Sequence, residues 1–127
     1  MFSTIRSGIV VLGLALMTAV PAAAHHGWSW AEAEQSRLEG VIEDISMNPP
    51  HPSLRVRDTQ GTVWFVELGN PGRTTRSGFG ADTADMGDTV TVIGNRDQDH
   101  AKAHMKAVRI VIDGRNYDMY PERLGAE

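Results

Sequence analysis

From Arg37 onward the chain is written in short segments whose apolar residues recur at every second position, separated by clusters of Gly, Pro, Asn and Asp. That pattern suits strands with one face in a core, and it leaves no room for a long amphipathic helix. Leu38, Val41, Ile42 and Ile45 mark a first strand, with Gly40 where a bulge or sharp coil is tolerated. Asn48-Pro49-Pro50-His51-Pro52 must be a loop, because three prolines cannot feed a ladder. Residues 54–57 alternate strictly, 58–61 turn, and 62–68 run back as the second arm of a hairpin, with Val63, Phe65 and Trp64 expected in core and rim. A short helix fits only at Asn70-Pro71, with Asn70 as cap, Pro71 in the first turn and Gly78 as stop. Residues 89–94 and 107–112 form two further strands, Asp113-Gly114 turns, and 117–120 add a short edge. Three strands, a helical connection and two strands is the order of an oligomer-binding barrel. The expected fold class is therefore all-β: a small five- to six-stranded OB-like Greek-key barrel with one short helix between strands 3 and 4, a small sandwich being the rival.

A chain of 127 residues with 41% hydrophobic content holds one domain. Twelve basic against 16 acidic residues, with no basic cluster, argues against a nucleic-acid partner. The lack of cysteine excludes disulfides, thiolate zinc sites, iron–sulfur clusters and a cysteine nucleophile. Any metal must be held by His, Met, carboxylate or backbone groups. Arg6, an apolar run over residues 8–20 and the small residues Pro21-Ala22-Ala23-Ala24 read as a signal peptide, residues 1–24, ahead of a single domain over 25–127. Removing residues 1–24 leaves 103 and, with Arg6 gone, takes the formal charge from −4 to −5. The expected location is periplasmic or secreted, with no membrane span after cleavage.

Cleavage after Ala24 makes His25 the first residue. Its α-amine and imidazole can then grip one cation, and an amine pKa of about 8 allows deprotonation on binding. Cleavage after Ala22 would instead place His25 third, where amine, two backbone amides and imidazole surround a square-planar ion. Copper stands highest in affinity for such nitrogen donors. All five histidines, His25, His26, His51, His100 and His104, fall in expected termini or loops. His51 sits in a proline-stiffened loop and could present its ring at little entropic cost, although a plain solvent-exposed histidine is the simpler alternative. His100 and His104 could share one side of a hairpin. Met47, Met86 and Met105 could add thioether sulfur, or simply fill core. Asn95-x-Asp97-x-Asp99 opens like a calcium loop, but His100 and Lys106 stand where its glycine and glutamate belong. Gly78-Phe79-Gly80 is no dinucleotide fingerprint. Glu67 is expected to end its strand paired with Arg73 or Arg76, and Trp28 and Trp30 to pin the mature start to the barrel.

His25-His26-Gly27-Trp28, the Gly40-to-Ile45 strand, Asn48-Pro49-Pro50-His51, Trp64-Phe65-Val66-Glu67-Leu68, Asn70-Pro71, Ser77-Gly78-Phe79 and Gly87-Asp88-Thr89-Val90-Thr91-Val92 occur in one order. In this the chain resembles a bacterial exported family classed as a domain of unknown function, over nearly all of its mature length. The resemblance implies a small β-barrel, a His-His mature start and an Asn-Pro-His turn, which here carries the additional Pro50. It implies no activity. The expected function is a monomeric periplasmic protein that buffers or delivers copper through His25, His26, His51 and His104, with no catalysis of its own. The alternatives are a non-metal module binding a peptide, glycan or envelope partner protein, and a copper oxidase.

Overall fold

The computed structural model describes residues 27–125. Its elements are β1 (Ser36–Ser46), β2 (Ser53–Asp58), β3 (Val63–Glu67), α1 (Pro71–Arg76), β4 (Thr89–Arg96), β5 (His104–Ile112) and β6 (Arg115–Asp118), followed by a 3₁₀ turn at Pro121–Arg123. β1 runs antiparallel to both β2 and β4, β2 to β3, and β4 to β5. Parallel pairing of β3 with β5 closes these five strands into a barrel, and β6 is added along β5. The expected OB-like barrel is therefore found, with its helix between β3 and β4, and the sandwich is not.

Alternation decides which side chains fill it. Leu54 and Val56 of β2 are fully buried, whereas Arg55 and Arg57 between and after them are exposed. Ile42, Val66, Val90, Val92, Met105 and Ile110 are among the other side chains of the interior, and removal of such apolar surface from water supplies the main drive to close the barrel. β3 departs from expectation: Val66 points in, while Val63, Trp64 and Phe65 remain partly exposed. Trp64 still packs against the core. Its indole N–H donates to Asp58 (3.0 Å).

β1 serves two neighbours by bending. Residues Ser36 to Val41 face β4 and Gly40 to Ser46 face β2, so only Gly40 and Val41 are paired on both sides. A Cβ at Gly40 would collide with the carbonyl oxygen of Arg57, so only glycine fits this close approach. The bulge itself lies three residues on, where Glu43 is left without a partner between Ile42 and Asp44. The helix starts as its sequence dictates: the Asn70 side chain accepts from the Arg73 amide (2.9 Å), Pro71 opens the first turn, and Gly78 leaves it at φ +91°. Among the described residues no helix is long and apolar enough to cross a membrane.

Candidate functional site

Residues 27–35 form almost no regular structure, yet they are tied to the β4–β5 hairpin at many points. Ala31 makes a single bridge to Asp97, and the Glu32 amide donates to Arg96 O (2.8 Å). The Gln98 amide donates to Trp30 O (2.9 Å), and its side-chain amide to Ser29 O (3.2 Å) and Ala31 O (3.1 Å). Buried Asn95 turns its amide nitrogen toward Glu32 O (2.9 Å) and Ala33 O (3.2 Å). Two polar side chains at the end of β4 thus satisfy backbone that a strand ladder would otherwise satisfy.

The start of this arm is held at Gly27. Lys106, 3% exposed, donates its ammonium to Gly27 O (2.9 Å) and stands over the rings of Trp28 (4.8 Å) and Tyr120 (5.7 Å). Trp28 meets Tyr120 edge to face at 4.9 Å and carries the Arg123 guanidinium 3.7 Å above its ring. Burial pushes the Lys106 amine below its ordinary pKa against the opposing pull of Glu67, and burial likewise pushes the Tyr120 phenol up. Both expected tryptophan anchors are thus in place.

His104 differs from its expectation. It is the first residue of β5, not a loop residue, and each of its ring nitrogens meets a carboxylate: Nδ1 the Asp97 Oδ2 (2.9 Å) and Nε2 the Glu67 Oε2 (3.1 Å). Ionised carboxylates only accept, so both bonds form together when both nitrogens carry hydrogen. The ring stacks on Trp30 at 3.9 Å and 14° and lies 5.6 Å from Phe65. As placed, each ring nitrogen is engaged by a carboxylate. Glu67 likewise does not pair with Arg73 or Arg76: Arg73 is bonded to Glu122 (2.7 Å). The parallel β3–β5 pairing brings residues 67 and 104 together, which their separation in sequence concealed. His100 pairs with Glu32, apart from His104.

The two bonds to Asp97 predict an acid response. The His104 ring and then the Asp99 amide (2.9 Å) hold the Asp97 carboxyl below the usual range. A lowered folded pKa stabilises the native state above the unfolded value, and that stability is lost as pH falls through the folded one. The Asp97→Asn protein should therefore show a shallower decline in unfolding free energy below about pH 4 than the parent. Denaturant titrations across that range test this; parallel acid limbs would contradict it.

His51 stands beside the same end of the sheet. Glu67 pairs with Lys106 on one side and Ser53 on the other, and the Leu68 amide donates to Pro52 O (2.8 Å), carrying the ladder to within one residue of His51. Ser53, Glu67 and Lys106 thus form one row across three strands, and His51 precedes that row by two residues on the β2 side. The Nδ1 atom of His51 is buried and has no hydrogen-bond partner among the described residues. An orphaned buried ring nitrogen is costly unless something outside these residues meets it. His25 and His26 lie outside the described residues, and no three His, Asp or Glu side chains converge on one cation position among those described. Two surface clefts, of about 350 Å³ beside Arg37, Asp58 and Trp64 and about 610 Å³ beside Gln35, Ile93 and Arg109, have no histidine in their walls.

A family model described as a family of unknown function, DUF6152, matches residues 14–106. No curated protein matches the chain.

Proposed function

The chain belongs to DUF6152, a family of unknown function, and we propose from its chemistry that it is an exported metal-binding protein that holds one copper ion for buffering or delivery. In this reading a leader is cut after Ala24, the new α-amine and the imidazole of His25 form a chelate, and His26 and His51 supply further nitrogen. His104 leaves the set, because Asp97 and Glu67 occupy both its nitrogens.

The observation that carries the proposal is the unpartnered buried Nδ1 of His51. The nearby Lys106 amine would repel a cation. Burial acts against that by favouring its neutral form.

Protein beginning at His25 should take up one Cu(II) per chain. A version with three alanines before His25 has its histidines fourth and fifth from the amine, loses the terminal chelate and should bind at least about 100-fold more weakly, the scale on which linked donors gain from effective concentration. Competition titration against a chelator of known affinity measures both. Equal affinity would overturn the amine chelate; no uptake by either would favour an envelope interaction module instead.

A further inference from the structure

We propose that the cleft where β1 parts from β2 binds an uncharged oligosaccharide, a site that does not rest on the copper reading. β1 pairs with β4 along Ser36 to Val41 but with β2 only from Gly40 onward. Over Ser36 to Glu39 one edge of the strand therefore has no strand beside it among the described residues. Backbone groups of a strand alternate between its two edges, so part of this stretch turns open N–H and C=O groups into the gap. The gap is the cleft of about 350 Å³ bounded by Arg37, Glu39, the turn after β2 and Trp64, a volume in the range of small-molecule sites.

Trp64 is the wall that points to a sugar. Its indole N–H donates to Asp58 Oδ2 (3.0 Å), and the Arg96 guanidinium stands 5.1 Å from its ring centre. Held in this way, the ring still remains partly exposed and lines the cleft. It offers apolar surface to the C–H groups of a pyranose and has little freedom left to lose on binding. The charges in the walls are already matched. Arg37 is paired with Glu39 (2.7 Å), while Asp58 Oδ1 accepts from the amides of Gln60 (2.9 Å) and Thr62 (2.9 Å) and its Oδ2 from the indole. These groups leave an ionic ligand no opposite charge to meet. Arg37, Glu39 and Gln60 instead present donors and acceptors to hydroxyl groups, which do both. An extended peptide fits less well, because the open edge ends where β2 takes over at Gly40 and gives it few ladder bonds.

The test follows amide and indole N–H resonances of metal-free protein, produced from the full chain, during titration with cellotriose, maltotriose and chitotriose. A capped tetrapeptide of threonine and valine serves as the competing ligand class. At least one trisaccharide should shift the Trp64 indole and the Gln60 amide together, saturating in the millimolar range or below. Trp64→Ala should weaken that binding at least about 10-fold, as truncation of a central aromatic contact does. Trp64 also packs against the core, so a second variant guards against misfolding. Arg37→Ala combined with Glu39→Ala removes two exposed side chains, and should weaken binding about 5-fold through lost hydrogen bonds at an unchanged thermal midpoint. Parent-like affinity in that double variant would overturn the proposal. So would shifts centred away from Trp64 and Gln60, saturation by the tetrapeptide alone, or the lack of a saturable shift with all three sugars.

Discussion

Replacing Phe79 by alanine should lower the unfolding free energy by about 4 kcal/mol, the midpoint of the range for emptying a buried phenylalanine site. Phe79 lies outside every strand and helix, in the connection between α1 and β4, yet it is 1% exposed and heads the fully buried side chains by volume. It meets Tyr117 of β6 edge to face at 5.7 Å and belongs to the same cluster as Leu68, Met119 and Tyr120. The cavity left by truncation is walled by strands already fixed by their ladders, so collapse onto it is restricted. Against a total of about 5–15 kcal/mol for a domain of this size, the variant should be partly unfolded at modest denaturant. Denaturant titration at constant m-value measures the loss. Met86→Ala, at a side chain 70% exposed, is the control and should change stability by less than about 0.5 kcal/mol. Indistinguishable midpoints for the two variants would contradict the assignment of Phe79 to the core.

The second large effect is expected at Gly94, from the opposite fault. A Cβ there would run into the Lys106 carbonyl oxygen and lie 3.1 Å from the Ala107 Cα, both of them backbone in a paired strand. Neither neighbour can yield without opening the β4–β5 ladder where its register already shifts between Ile93 and Gly94. Gly94→Ala should therefore cost about 3 kcal/mol, the upper part of the overpacking range. Gly80→Ala, where nothing stands within 4 Å, should be near neutral. The damage also reaches the arm. Gly94 precedes Asn95, which binds the 32–33 carbonyls, and abuts Lys106, which binds Gly27. Hydrogen exchange at amides 28–32 should accelerate more in Gly94→Ala than in a core variant such as Phe79→Ala at matched stability. Equal acceleration would separate the arm from the β4–β5 hairpin.

Much of the barrel is legible along the chain because its signals are local. Strict alternation at 54–57 marks β2, and Asn70-Pro71 places the helix start to the residue. The proline loop at 49–52 separates β1 from β2 without ambiguity. Other features escape for an identifiable reason. Phe79 sits between two glycines in a stretch without periodicity, so nothing local separates a loop aromatic from a core one. β3 has four apolar residues in succession, 63–66, and period two cannot say which pair faces inward. Lys106 reads as a solvated lysine until the arm, Trp28 and Tyr120 are seen to cover it.

Residue identities along the chain are enough to set the element order, the helix cap, the glycine at the β1 bend and the supply of chemistry: histidines, carboxylates and no thiols. These depend on backbone preference and side-chain identity, which act over a few residues. Folding in three dimensions is what brings Asp97 and Glu67 to the two sides of His104, Arg73 to Glu122 and Lys106 to Gly27. The contacts of His104 and Lys106 depend on closure between β3 and β5, a parallel pairing that sets Phe65 beside His104 and Glu67 beside Lys106, far apart along the chain. Closure is set by how the whole interior fills, and no short stretch of chain contains that information.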